Sequence, residues 1–367
     1  MRKSVFMSIS LAMLCLSACG QSTSSATSSV SGASSSSSDV SSSDASSSGY
    51  TYKNLTIFLI QGKDALSRNY LTLEEAMKQK KIILHETGSV GELSVDNLSS
   101  EYVFVMAGDI VKGGRQDRTI GEDIVLSPGA KKVPLKSFCV EHNRWSGRGS
   151  ESAAVFSSSE KTLSNKALKV AARTEKSQEK VWKEVEDYQE NVSKNAQTEV
   201  KSTVSPTSLQ LTLENDKVKT TIAEYVNALQ PAFDGKNDAL GFAFFINGKI
   251  STVETFGNAA LFKKLQKKLL EAAASEAFEQ YDVQLKFATP KSEALESFIT
   301  LAEQGEESSR QTSDHIMEYT KKTSSTILLR TVNTDAGKAA LHTSIYSTDD
   351  LSINEDTGYQ GYRRLER

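Results

Sequence analysis

Cysteine is nearly missing from this chain, with three among 367 residues, at positions 15, 19 and 139. Two fall in the first nineteen positions, so Cys139 is the one thiol of everything that follows. The body is therefore expected to form no disulfide and to rest on its own hydrophobic core. Long apolar runs are scarce as well. After Val5 to Leu16 nothing reads as a membrane span. An excess of basic charge is lacking, since the net charge is -3, which argues against a nucleic-acid partner. The histidines His85, His142, His315 and His342 are too scattered for a zinc site by spacing, so no metal is expected. Gly113-Gly114 does not have the spacing of a phosphate-cradling loop, and no cofactor motif stands elsewhere. No internal repeat is seen.

What is present begins with a leader. Arg2 and Lys3 precede the apolar run, and Leu16-Ser17-Ala18-Cys19 follows it. This resembles a bacterial lipoprotein signal. The resemblance implies removal of residues 1–18, acylation of Cys19, and a membrane partner held through diacylglycerol on the extracytoplasmic side. Residues 19–49, dominated by serine, have no apolar periodicity to offset the entropy of ordering. They read as a tether spanning roughly 30 Å. The body is expected over 50–347, β-rich through 146 and mixed from 178, with a polar tail over 348–367.

The periodicities of the body predict an α+β fold without a parallel doubly wound sheet. Strands are expected at Leu55–Ile60, Ile82–His85, Val90–Val95, Tyr102–Met106, Ile124–Leu126 and Val133–Val140. Thr72-Leu-Glu-Glu75 fits a capping box opening a short helix that ends near Lys80. From about Gly147 to Gln178 the chain is polar and poorly periodic. Val181, Val185, Tyr188 and Val192 then form one helical stripe, and Val218, Ile222, Tyr225, Val226 and Leu229 a second, stopped by Pro231. Asn247-Gly248 between two apolar runs signals a hairpin. A long helix follows over Ala259–Phe278, then one capped by Thr289-Pro290, then strands at Thr326–Thr331 and Ala340–Tyr346.

Chemistry concentrates between Gly113 and Trp145. The glycine pair permits a sharp reversal, after which Gln116 and Arg118 share a side of an extended chain. An amide and a guanidinium there suit a carboxylate or phosphate, unless Asp117 pairs locally with arginine on a solvated turn. Cys139 and Glu141 share a strand face, as a nucleophile and its acid/base partner would. A neighbouring carboxylate raises a thiol pKa, however, and an isolated cysteine is more often buried and inert. Arg144 and Trp145 suit a cation–π platform, or Trp145 anchors the strand end in the core. If Ile120–Leu126 and Val133–Val140 pair across Pro128, Gln116, Arg118, Glu141 and Arg144 converge at one end of a sheet, with Arg118 in reach of Glu141.

Three blocks carry a wider likeness: "GDIVKGGRQDRTI", "VPLKSFCVEHNRW" and "GFAFFINGKISTVETFGNAALFKKLQKKLL". In order and spacing they resemble the ARG and rhodanese-phosphatase-superfamily-associated protein domain family, over about residues 53–346. That family takes its name from neighbouring ADP-ribosylglycohydrolases and rhodanese-type phosphatases, and its own activity is unassigned. The resemblance implies the fold and a link to NAD or ADP-ribose chemistry. The combined expectation is a membrane-anchored lipoprotein binding a small anionic ligand through Gln116, Arg118, Arg144 and Trp145. A hydrolase with Glu141 as acid/base group, or an adhesion module of the cell envelope, are the alternatives.

Overall fold

The computed structural model describes residues 49–148, 156–349 and 351. The expected signal, Cys19, the tether up to residue 48 and the tail from 352 lie outside the described residues. Strand β1 (Tyr50–Tyr52) folds back on β2 (Leu55–Gln61), which is buried along nearly its whole length. A strand covered on both faces reads as an unbroken apolar run rather than an alternation. Leu71–Thr72 (β3) leads into α1 (Leu73–Lys78), whose capping box forms as the spacing predicts. Thr72 Oγ1 accepts from the Glu75 amide at 3.2 Å, and the Glu75 carboxylate accepts from the Thr72 amide at 2.9 Å.

A run of strands follows: β4 (Ile82–Ser89), β5 (Glu92–Asn97), β6 (Val103–Val105), β7 (Asp109–Gly113), β8 (Arg118–Ile120), β9 (Ile124–Leu126), β10 (Val133–Cys139) and β11 (Phe156–Leu163). The stretch read as aperiodic thus holds β11. It also holds α2 (Lys166–Lys169) and a π-helical turn, Val170–Thr174. Their period was masked because charged residues point inward: Lys166, Lys169 and Arg173 are all buried.

Helices α3 (Gln178–Ala196), α4 (Leu209–Leu213) and α5 (Asp216–Leu229) come next, and Pro231 turns the end of α5 into a 3-10 turn. The hairpin of β12 (Ala239–Ile246) and β13 (Lys249–Phe256) closes through Asn247 at φ 52° and Gly248 at φ 78°. That pair of positive φ values is what Asn-Gly supplies most cheaply. Helix α6 (Ala259–Glu279) precedes α7 (Ser292–Glu303). The expected cap at Thr289-Pro290 is not used. Lys291 stands at the N-cap without a side-chain hydrogen bond, leaving Pro290 outside the helix. The chain continues through β14 (Glu306–Ser313), β15 (Ile316–Lys322), β16 (Thr326–Asn333) and β17 (Ala340–Ser347). The β14–β15 hairpin escaped the sequence reading because β14, EESSRQTS, has no apolar residue to alternate.

Among the described residues three sheets result. Eight strands run β1-β2-β12-β13-β17-β16-β15-β14, six run β11-β7-β8-β10-β5-β4, and three run β3-β6-β9. Among the described pairings only β3–β6 is parallel, so the fold is α+β, with no doubly wound parallel sheet. The first two strands lie in the sheet that the C-terminal strands complete. One face of that sheet packs with α5 and α6 in the main core, through Leu55, Ile57 and Leu59. The other packs on α7 through Phe58, Ile60, Phe298 and Ile299. The six-stranded sheet encloses a second core that includes Leu84, Leu93, Val111, Ile120 and Leu135. Among the described residues no helix is long and apolar enough to cross a membrane.

The expected single strand Ile120–Leu126 is two. Residues 118–120 pair with β10, whereas β9 leaves to pair with β6. Asp123, between them, causes the break: its carboxylate turns into the interior, where Arg173 and His342 hold it at 2.9 and 2.7 Å.

Candidate functional site

Antiparallel pairing of β8 with β10 sets Arg118 opposite Cys139. Gln116 and Asp117, just before β8, therefore stand beside Glu141, just after β10. The reversal that brings β8 back runs through Gly113 (φ 112°) and Gly114 (φ 56°). A Cβ on Gly114 would meet the Phe156 ring at 2.2 Å, so this position takes glycine for space as well as for φ. Gln116 Nε2 donates to the Glu141 carbonyl at 3.1 Å, tying the two segments together.

Asp117 and Glu141 form the acidic centre, both fully buried. Arg148 Nη1 lies 2.8 Å from Asp117 Oδ2 and 3.2 Å from Glu141 Oε1. Arg144 Nη2 lies 2.5 Å from Glu141 Oε2 and 3.4 Å from Asp117 Oδ1. Ser208, the N-cap of α4, donates to Asp117 at 3.1 Å. Burial and the neighbouring Glu141 charge raise the Asp117 pKa above the ordinary range, against Arg148. Burial opposes Glu141 ionisation too, but hydrogen bonds from Arg144 and Ser205 outweigh it and its pKa is lowered. The two carboxyls are thus held apart in proton affinity.

Arg118 has no exposed surface. Its Nη1 donates to the Gln116 carbonyl at 3.2 Å and to Gln116 Oε1 at 3.1 Å. Nε and Nη2 make no hydrogen bond among the described residues. The expected pairing of Arg118 with Glu141 is replaced: its ion partner is Glu86 of β4, whose Oε2 is 3.9 Å from Nη2. Glu86 reaches this corner because Arg115 N donates to its Oε1 at 2.8 Å. Burial lowers the Arg118 pKa from its ordinary value, against Cys139 and Glu86.

Trp145 does not anchor the core. It is 43% exposed, with the Arg115 and Arg118 guanidinium carbons 5.2 and 5.8 Å from its ring centre. Cys139 is buried, its thiol donates to the Glu141 carbonyl at 3.1 Å, and burial raises its pKa. Such a thiol is a poor nucleophile. His142 packs against Trp182, ring centres 4.0 Å apart and tilted by 33°, beside a groove of about 490 Å³ along α3.

The structure therefore gathers Gln116, Arg118, Glu141, Arg144 and Trp145 at one corner. It adds four residues that sequence reasoning missed: Glu86, Asp117, Arg148 and Ser208. Asp117 was legible as the third member of Arg-Gln-Asp-Arg and was set aside as a local pair. Glu86 and Ser208 carry no local signal.

A second charged cluster lies deeper, and nothing in the sequence announced it. Asp123, Lys169, Arg173, Glu254, Glu318 and His342 are all buried. His342 Nδ1 is 2.7 Å from Asp123 Oδ2, and Nε2 is 2.8 Å from Glu254 Oε2. Lys169 reaches Glu254 Oε1 at 2.8 Å, and Arg173 bridges Asp123 and Glu318, each at 2.9 Å. Ser344 Oγ is 3.2 Å from His342 Nε2, which gives the outline of a serine–histidine–aspartate triad. The bonding contradicts that outline. Ser344 donates to Glu254 at 2.7 Å. Burial disfavours a charged His342, but Asp123 and Glu254 outweigh it and raise its pKa. An imidazolium donating through both nitrogens has no lone pair for a proton. Burial notwithstanding, Lys169 and His342 hold the Glu254 pKa down to about 2.

No metal-binding group of acidic, histidine or cysteine side chains exists among the described residues. No curated protein and no solved structure matches the chain significantly. The model of one family does match, over residues 45–346. The likeness seen in the three sequence blocks thus extends over nearly the whole described body, and this chain belongs to the ARG and Rhodanese-Phosphatase-superfamily-associated Protein domain family.

Proposed function

We propose that this protein is an extracytoplasmic lipoprotein, held at the cell membrane through diacylglycerol on Cys19, whose body binds a small oxyanion at Arg118. One observation carries the binding: Nε and Nη2 of a buried guanidinium make no hydrogen bond among the described residues. Those two N–H groups form one edge of the fork, and that edge matches two oxygens of a carboxylate or phosphate. A buried cationic donor without an acceptor costs free energy, and a bound oxyanion relieves the cost. The ligand is a small anion of the nucleotide- or sugar-phosphate type. Binding is favoured over hydrolysis because both Glu141 oxygens are engaged by arginines. The anchor rests on Leu16-Ser17-Ala18-Cys19.

Calorimetric titration of the full chain in detergent with inorganic phosphate and a sugar phosphate tests the site. Saturable binding of either supports it, and no heat from both removes it. For the anchor, Cys19→Ala is expected to leave the membrane fraction or to keep its leader. Unchanged processing and fractionation would contradict it.

A further inference from the structure

We infer that the oxyanion taken at Arg118 must carry a proton, so that the site selects phosphate and phosphate monoesters against sulfate and phosphodiesters. This rests on the reading of Arg118 as the anion site. The argument turns on Glu86. Its Oε1 accepts from the Arg115 amide, whereas its Oε2, like Arg118 Nη2, is buried and makes no hydrogen bond among the described residues. These two atoms are 3.9 Å apart, beyond hydrogen-bond distance. One is a donor and the other, on a carboxylate, only an acceptor.

An anion on the Arg118 edge sets its oxygens beside Glu86 Oε2. A fully ionised oxygen there meets like charge and leaves Oε2 without a donor. A P–OH group instead donates to Oε2 while its other oxygens accept from Arg118. At about pH 6 a phosphate monoester is about half in its protonated form, whereas sulfate and dimethyl phosphate have no proton to give. Burial magnifies the difference, because no water takes over a hydrogen bond lost inside the protein. Trp145 lies over the Arg118 guanidinium, so an anion bound at Arg118 alters the surroundings of this ring, and its emission reports the arrival.

The test is a titration at about pH 6 of the full chain carrying Trp182→Phe, which leaves Trp145 as its one tryptophan. Trp145 emission is followed against phosphate, methyl phosphate, sulfate and dimethyl phosphate. Phosphate and methyl phosphate are expected to bind about tenfold or more tighter than the two proton-free anions, the loss of one buried charged hydrogen bond. Glu86→Gln, whose amide can donate, is expected to bring phosphate and sulfate close to parity. Equal binding of all four anions by the Glu86 chain overturns this inference while leaving Arg118 as the anion site. A preference for phosphate that survives in Glu86→Gln also overturns it. Binding of none overturns the Arg118 reading, and this inference with it. Should Glu86→Gln fail to fold, the comparison of methyl with dimethyl phosphate on the Glu86 chain decides alone.

Discussion

Both charged clusters of this protein pair buried arginines with buried carboxylates, and they differ in how far their polar atoms are matched. Around Asp123, every carboxylate oxygen of Asp123, Glu254 and Glu318 accepts at least one hydrogen bond. Arg173 Nη1 and Tyr346 Oη are left over there among the described residues. Around Arg118 the acids of the centre are satisfied, but Arg118 Nε and Nη2, Arg144 Nε and Glu86 Oε2 are not. Position explains the contrast. The inner cluster joins the Asp123 break, the π-helical turn and strands β13, β15 and β17, so its members are fixed from every side. The outer cluster hangs on the β7–β8 turn and the segment after β10, capped by the half-exposed Trp145. A closed network reads as scaffold. An open one, nearer the surface, reads as a place for something else.

The largest effect that would break this comparison is expected at Arg173. Arg173→Ala leaves Asp123 and Glu318 buried with reduced compensation, and removing one partner of a buried pair costs about 3–5 kcal/mol. Chemical denaturation should show that loss as a lower midpoint with an unchanged slope. A loss below about 1 kcal/mol, the range of exposed pairs, would mean that the inner network is not the scaffold described.

Acidity should separate the clusters next. Glu254, held at about 2, contributes stability present above its unfolded value of about 4.3 and lost as pH falls toward 2. His342, raised above its ordinary value, contributes stability complete below about 6.5 and lost as pH rises through its folded pKa. Asp117, also raised, is a carboxyl whose contribution is present at low pH and likewise lost as pH rises through its folded value. Thermal unfolding is therefore expected to be most resistant between about pH 4.5 and 6.5. His342→Gln should lower the whole profile and flatten its alkaline side. An alkaline limb unchanged in that variant would assign the loss to Asp117 instead.

Much of the architecture was readable because local chemistry and tertiary position agree. The capping box at Thr72, the Asn247-Gly248 hairpin and the stripes of α3 and α5 are examples where one signal suffices. The corner at Arg118 was readable too, since antiparallel pairing of two neighbouring segments is a short-range event. What stayed hidden has a common cause. Strand β14 is polar throughout and owes its state to pairing with β15. Lys169 and Arg173 look like surface residues and are buried by partners far away in the chain. Asp123 and His342 meet across a separation of 219 residues, which no periodicity encodes. Glu86 reaches Arg118 across two intervening strands of its sheet, β5 and β10.

The smallest structural effect carries the most information. Arg118→Gln removes a buried cation that has one unmatched edge and an ion partner only at 3.9 Å, so its cost to stability should fall below that of Arg173→Ala. The direct test is phosphate protection: the rise in unfolding temperature on adding saturating phosphate to the unsubstituted chain and to each variant. A ligand that binds only the folded state stabilises by about 2.7 kcal/mol at a hundred times its dissociation constant. The account predicts that rise in the unsubstituted chain and in Arg173→Ala, and none in Arg118→Gln. Protection retained in Arg118→Gln, or lost in a still-folded Arg173→Ala, would contradict the division of the two clusters into binding site and scaffold.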